Sequence, residues 1–253
     1  MIELIQTEFA TSHQNLALEE VILDDFLTME RTPLIRLWGN EELSVVLGRG
    51  EKVEQQVHLT HCQKEGIPIL RRVSGGGSVL HGPGNLNLSF FLPWSFHPDL
   101  KSIPASYQLI LGWVREALEK STGVKSSQKG TCDICIGDKK ISGTAQARKR
   151  HGLLHHLTLL VDFDIELIPL YLKEPEKRPE YREVRHHEEF VTSISREGLS
   201  LNRTVFIQAL QESMGAKVSP IELDGETRSR AQNLAVQKYQ NEDWNLRGRP
   251  PRP

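Results

Sequence analysis

The stretch Arg71-Arg72-Val73-Ser74-Gly75-Gly76-Gly77-Ser78-Val79-Leu80-His81 governs how this chain is read. One apolar run, Ile67-Pro68-Ile69-Leu70, leads into it, and a second, Leu86-Asn87-Leu88-Ser89-Phe90-Phe91, follows. Both have the composition of buried or half-buried strands. Three consecutive glycines between strands cost backbone entropy and weaken pairing. In return they let main chain approach a ligand closely, with several N–H groups free to face an anion. Two arginines precede them, a serine stands on either side and a histidine follows, a set that suits a carboxylate or phosphate. The competing reading is an ordinary glycine-rich hairpin with solvated arginines. The stretch is not a P-loop, since no Gly-Lys-Ser/Thr follows, nor G-x-G-x-x-G, since Leu80 takes the last place.

The 253 residues allow one large domain or two small ones. A net charge of −2 argues against a bulk nucleic-acid binder. No apolar run reaches the ~20 residues of a membrane span, and the N-terminus lacks the basic-then-apolar order of a secretion signal. Three cysteines fit a reducing compartment better than a disulfide framework. The expectation is a cytoplasmic globular enzyme with neither nucleic acid nor membrane as partner.

Outward from the glycines, Asn15 to Phe26 carries apolar residues at 16, 18, 22, 23 and 26, a helical stripe with Thr11 or Ser12 as cap. Pro33–Trp38 and Ser44–Leu47 read as strands parted by Gly39-Asn40, and Gly48-Arg49-Gly50 as a basic corner. Val57–Lys64 reads as a short helix and Ser106–Ser121 as a long amphipathic one. A second informative stretch, Cys132-Asp133-Ile134-Cys135-Ile136-Gly137-Asp138-Lys139-Lys140-Ile141-Ser142-Gly143-Thr144-Ala145-Gln146, reads as a hairpin turning at Gly137-Asp138. Leu153–Asp162 reads as a strand, so His155 and His156 point to opposite faces and cannot grip one metal. The same alternation parts Cys132 from Cys135, and no metal ligand is assigned. Glu174–Glu189, charged and proline-bearing, reads as an exposed connector or lid. Helices Val205–Met214 and Thr227–Tyr239 flank a strand-like Ala216–Ile221. Residues 1–246 are expected to form the catalytic domain and 247–253 a disordered tail.

Together, Arg71-Arg72-x-Ser74-Gly75-Gly76-Gly77-x-Val79-x-His81 with Gly84-Asn85-Leu86-Asn87, and then Asp133-Ile134-x-Ile136-x-x-Lys139-Lys140-Ile141-Ser142-Gly143-Thr144-Ala145-Gln146, resemble the lipoate-protein ligase family. Its wider group includes octanoyltransferases and biotin ligase catalytic domains. Asn15-Leu16-Ala17-Leu18-Glu19-Glu20 resembles the family's first helix, and Lys238-Tyr239 with Asp243-Trp244 the end of its short members. The resemblance implies an α/β (α+β) fold, a mixed β-sheet flanked by helices. It implies activation of lipoate by ATP, with Mg2+, to lipoyl-AMP. The acyl group then passes to a lysine of a lipoyl carrier domain in a 2-oxoacid dehydrogenase or glycine cleavage protein. Lys140 takes the catalytic place, bridging the acyl carbonyl and the α-phosphate. Arg72, Ser74, Gly75, Gly76, Gly77, Ser78 and Val79 fall on substrate or nucleotide, as do His81, Asn85, Asp133, Gly143, Ala145 and His156. Leu157 stands where many relatives have glycine, with an expected effect on the pocket floor. The length leaves no room for the C-terminal domain of longer ligases, which implies a separate accessory domain for activation.

Two other functions compete. In a cysteine-dependent octanoyl or lipoyl transferase, relatives carry the thiol where Gln128-Lys129-Gly130 stands here, and a thiol at Cys132 or Cys135 reads as a small core residue. A non-catalytic binder of a lipoyl or nucleotide ligand would not need Arg72, the glycines and Lys140 together.

Overall fold

The computed structural model describes residues 1–175 and 178–250. The chain begins with β1 (Ile2–Ile5), α1 (Ser12–Asp25), β2 (Leu34–Trp38), β3 (Ser44–Leu47), α2 (Val53–Gln56), α3 (Leu59–Glu65), β4 (Ile69–Arg71), β5 (Val79–His81) and β6 (Asn85–Pro93). It continues with α4 (Ile103–Thr122), β7 (Ser127–Lys129), β8 (Asp133–Ile136), β9 (Lys139–Arg148), β10 (Gly152–Leu160), α5 (Ile168–Tyr171) and α6 (His187–Phe190). Last come α7 (Arg203–Ser213), β11 (Val218–Pro220), α8 (Gly225–Leu234) and α9 (Glu242–Arg247).

Eight strands form a mixed sheet in the order β11-β1-β2-β6-β10-β9-β8-β7, with β1 parallel to both neighbours. This is the expected helix-flanked mixed sheet. A second sheet, β4-β3-β5, is separate. The glycine stretch therefore makes no hairpin: β4 and β5 both pair with β3, one parallel and one antiparallel, and residues 72–78 cross the end of β3.

Helix α4 covers one face of the large sheet with α7 behind it, burying Ile110, Val114 and Leu118 with Leu88, Phe90 and Leu92. Each such side chain contributes about 1.5–3 kcal/mol by leaving water. Ser102 caps α4, its hydroxyl accepting from Ala105 N at 3.4 Å, and Gly123 ends it in the left-handed conformation that glycine adopts without penalty. The opposite face carries α1 and α8 over Leu34, Phe91 and Leu154. α1 is buried nearly all round rather than along one stripe, Glu19 and Glu20 included.

Alternation along β10 separates the two histidines as expected, but both faces are covered. His155 lies under α4, accepting from Gln146 Nε2 at 2.8 Å, while His156 faces the other way. Leu157 packs in the α4 cluster and also borders the cavity described below. The expected helix Val57–Lys64 is found as α3, which starts only at Leu59 because Val57 bridges to Leu172, and α2 precedes it.

Arg71, 1% exposed, ties the C-terminus to the small sheet. Its guanidinium donates to the carbonyls of Trp244 and Asn245 in α9 at 3.0 and 3.1 Å and to that of Glu51 at 2.7 Å, while Trp244 Nε1 returns a bond to Arg71 O at 2.9 Å. A cation on the last carbonyls of a helix also complements its dipole. The disorder expected from Arg247 is not found there. Arg247 ends α9, Gly248 caps it, and Arg249 N donates to Asp243 O at 3.0 Å. Residues 251–253 lie outside the described residues. Among the described residues no helix is long and apolar enough to cross a membrane.

Candidate active site

Gly48 follows the end of β3, and the glycine loop rests directly on it: a Cβ on Gly48 would stand 1.8 Å from Gly76 O. Gly76 itself is at φ +83°, open to glycine at little cost. Arg72, expected on the phosphates, turns into this loop. Four of its N–H groups are engaged: Nε on Ser74 Oγ at 2.9 Å, Nη1 on Val46 O at 3.3 Å, and Nη2 on Gly75 O and Gly77 O at 2.6 and 2.8 Å. Burial draws its pKa down to about 10, so it stays charged at neutral pH and shapes the loop from beneath.

Below the loop opens a cavity of about 400 Å³, a size typical of small-ligand sites. Arg72, Gly76, Gly77, Ser78, Val79 and His81 line its loop side, and Asp133, Lys140, Gly143, Ala145 and His156 the side of the large sheet. Three expected residues stand off it. Ser74 is buried behind the loop, its hydroxyl 2.6 Å from His156 Nε2. The carbonyl of Gly75 turns away to accept from Arg72 Nη2. Asn85 braces the turn between β5 and β6, donating to Leu80 O at 3.1 Å.

Lys140 opens β9 at the hairpin, and its Nζ reaches Asp133 Oδ1 at 2.7 Å. The absence of a side chain at Gly143 gives it room, since a Cβ there would stand 3.1 Å from Nζ. The phenol of Tyr181 donates to the other carboxylate oxygen of Asp133 at 2.5 Å. Burial and the neighbouring carboxylate raise the Tyr181 pKa, which keeps the phenol a donor. Asp133 thus holds the lysine and is itself held from the 174–189 segment.

That segment is no free connector. Glu174 gathers Arg178 at 3.4 Å, Arg182 and His187, and Arg182 is only 3% exposed. Pro175, Pro179, Arg182 and His187 line the cavity from this side. Neither Tyr181 nor the Glu174 cluster carries a local signal in a stretch that reads as solvated.

Across the cavity, Glu19 of α1 accepts from His156 Nδ1 at 2.9 Å and from Ser89. Burial pushes its carboxyl upward, but His156, Ser89 and Arg36 outweigh that and leave it below its ordinary value. The one available hint was an acidic pair inside an apolar helix. Cys132 also lines the cavity, its thiol 3.6 Å from Asp133 Oδ1. Burial and that carboxylate push it up to about 11, and burial also raises Cys135 and Cys62. All three cysteines are free.

The site has counterparts in known proteins. The family model of the lipoyl protein ligase A/B catalytic domain matches residues 11–215. A protein of Aeropyrum pernix classed with lipoate-protein ligase A is 31% identical over 161 residues, 64% of this chain and 58% of that one, so the chain spans less than two thirds of that relative. Octanoyltransferase LipM of Geobacillus kaustophilus is 26% identical over 264 aligned positions, covering 92% of this chain and 93% of the relative. Among solved structures, the bi-partite lipoate protein ligase of Thermoplasma acidophilum, described together with its E2 lipoyl domain, matches with a TM-score of 0.84 at 25% identity, over 96% of this chain and 95% of that one. With most of its length matched, and with the glycine loop and Lys140 on one cavity, the chain belongs to the family of lipoyl protein ligase A/B catalytic domains.

Proposed function

We propose that this chain is a lipoate-protein ligase working through an acyl-adenylate. The observation that carries the reading is Lys140, held by Asp133 at the rim of a cavity in which Cys132, the one lining thiol among the described residues, is pushed up to about 11. The lipoate carboxylate attacks the α-phosphorus of ATP and pyrophosphate leaves. The lysine amine of a lipoyl carrier domain then attacks the acyl carbonyl, AMP departs with the bonding pair, and the amine loses a proton. Lys140 stabilises the charge that grows on the carbonyl oxygen and the α-phosphate, as a compact cation placed in advance. A mixed anhydride brings its own leaving group, so no protein nucleophile is needed.

Mg2+ would enter with the ATP phosphates. Asp133 already serves Lys140 and Tyr181, and among the described residues no three acidic, histidine or cysteine groups gather into a protein-made cage.

The second reading, a cysteine-dependent transferase, draws on Cys132 bordering the cavity. A thiol pushed up to about 11 is a poor nucleophile near neutrality. One experiment separates the readings and addresses the accessory domain: transfer to a single lipoyl-domain acceptor is measured from lipoyl-AMP and from lipoate with Mg-ATP. Cys132→Ser and Cys135→Ser are expected to keep transfer from lipoyl-AMP, and the complete reaction to run more slowly than transfer. An acyl adduct on Cys132 by intact mass, lost together with activity in the variant, would establish the transferase. Equal rates for the two reactions would remove the need for an accessory domain.

Tyr181→Phe tests the support of Asp133. Losing one donor to a buried carboxylate is expected to slow turnover about tenfold, with the KM for the acceptor domain near wild type. An unchanged turnover number would remove Tyr181 from the positioning of Lys140.

A further inference from the structure

A chain of hydrogen bonds runs through the core in one direction and ends at the cavity. It starts at Arg36, fully buried and able only to donate. Arg36 Nη2 donates to Asn15 Oδ1 at 2.6 Å, and the Phe9 N–H donates to the same oxygen at 3.0 Å. These two donors identify the oxygen of the Asn15 amide. Asn15 Nδ2 is therefore the donor that meets Asn40 Oδ1 at 3.1 Å. Asn40 then presents its NH2 to His81 Nδ1 at 3.0 Å, which makes that nitrogen an acceptor and puts the imidazole proton on Nε2. His81 Nε2 donates to Thr158 Oγ1 at 3.1 Å, and the Thr158 hydroxyl donates to Asn87 Oδ1 at 2.7 Å. Burial pushes His81 down to about 3, so the neutral ring this order needs persists at neutral pH.

What remains is the other end of the last amide. Asn87 Nδ2 is buried without a partner among the described residues, on a side chain 2% exposed that lines the cavity. A buried N–H donor without an acceptor is costly and uncommon. Its position is set by register. Asn87 lies opposite Thr158, Thr158 opposite Gly143, and Lys140 Nζ sits beside Gly143. Two strand spacings of ~4.8 Å place the amide roughly 10 Å from the lysine. An extended chain of about eight bonds covers that distance at ~1.2 Å per bond. Leu16, Trp38 and Val46 line the cavity as well, so the donor is set among apolar groups.

We propose that Asn87 determines acyl specificity: its Nδ2 donates to a sulfur of the dithiolane ring at the far end of a lipoyl chain. A saturated chain of equal length ends in a methyl group and leaves the donor unpaired. This rests on the acyl-ligase reading above and adds to it which acyl group the cavity favours.

The test compares lipoyl-AMP and octanoyl-AMP as donors to one lipoyl-domain acceptor, with lipoate and octanoate binding followed by calorimetry. Sulfur is a weak acceptor, so the wild type is expected to favour the lipoyl donor in kcat/KM by roughly tenfold. Asn87→Leu, an apolar side chain of similar volume, is expected to bring the ratio close to one, mainly by improving octanoyl transfer. Thr158→Val keeps the side-chain shape but frees the Asn87 amide to turn, and is expected to lower the ratio part of the way. It decides the matter if Asn87→Leu fails to fold. Equal use of both donors by the wild type, or an unchanged ratio in the folded variants, overturns the proposal and leaves the ligase reading standing. Transfer of neither acyl group by the wild type overturns that reading and the proposal with it.

Discussion

Lys140→Ala is expected to lower lipoyl transfer from lipoyl-AMP by about 10²- to 10³-fold, with the fold retained. The side chain is partly exposed at the cavity rim, so its removal leaves no large void. The loss falls on the transition state, where the carbonyl oxygen gains charge that the ammonium would meet. Its position is prepared beforehand by Asp133 at 2.7 Å and by the open space at Gly143. Lys140→Arg is expected to rescue little, because a planar fork does not fit a place shaped for a point charge. Single-turnover transfer from synthetic lipoyl-AMP is the measurement, with circular dichroism to check folding. Near-native transfer by folded Lys140→Ala would remove Lys140 from the chemistry.

The second large effect is loss of stability in acid. Burial pushes both His81 and His155 down to about 3, with the neighbouring His156 adding to the shift of His155. In the unfolded chain both titrate near the ordinary ~6.5. Between those values the unfolded state binds more protons than the folded one, so stability falls as the pH drops from about 6.5 toward 3. Each histidine supplies a slope of up to ~1.4 kcal/mol per pH unit, about 2.7 for the two together. Glu19 acts in the same sense at lower pH. Its folded pKa is depressed, so the stability it contributes is present above its ordinary value and is lost as pH falls through the depressed one. Urea midpoints at pH 7, 6, 5 and 4.5 are expected to fall steadily, and less steeply in His155→Phe. A midpoint flat across that range would mean that both histidines take up protons in the folded protein.

Much of the site was open to reading because its carriers are local. A glycine run between apolar segments, a Gly-Asp turn ahead of Lys140, and strict alternation through His155-His156 are patterns of a few residues. They led to the loop and the hairpin now found on one cavity, and to the parted histidines, of which only His156 lines it. Asn85 shows the limit of such reading: its place beside the motif suggested a ligand contact, while its amide nitrogen braces a turn. Arg72 kept its place but not its direction, because only the packed loop offers the carbonyls toward which it turns.

By itself the sequence determined the α/β class, the order of most elements, and the two motifs that share the cavity. Those follow from side-chain period and turn chemistry, which act over a handful of positions. Only the tertiary structure decided that β4 and β5 leave the large sheet to flank β3. It alone joined Glu19 to His156 across 137 positions and Tyr181 to Asp133 across 48. Contacts that distant depend on strand order and register, and the residues that make them carry no periodic mark. The unpaired amide of Asn87 is of the same kind. Its orientation descends from Arg36 through four intervening side chains, each held by a different element or loop, and no stretch of chain read alone contains that order.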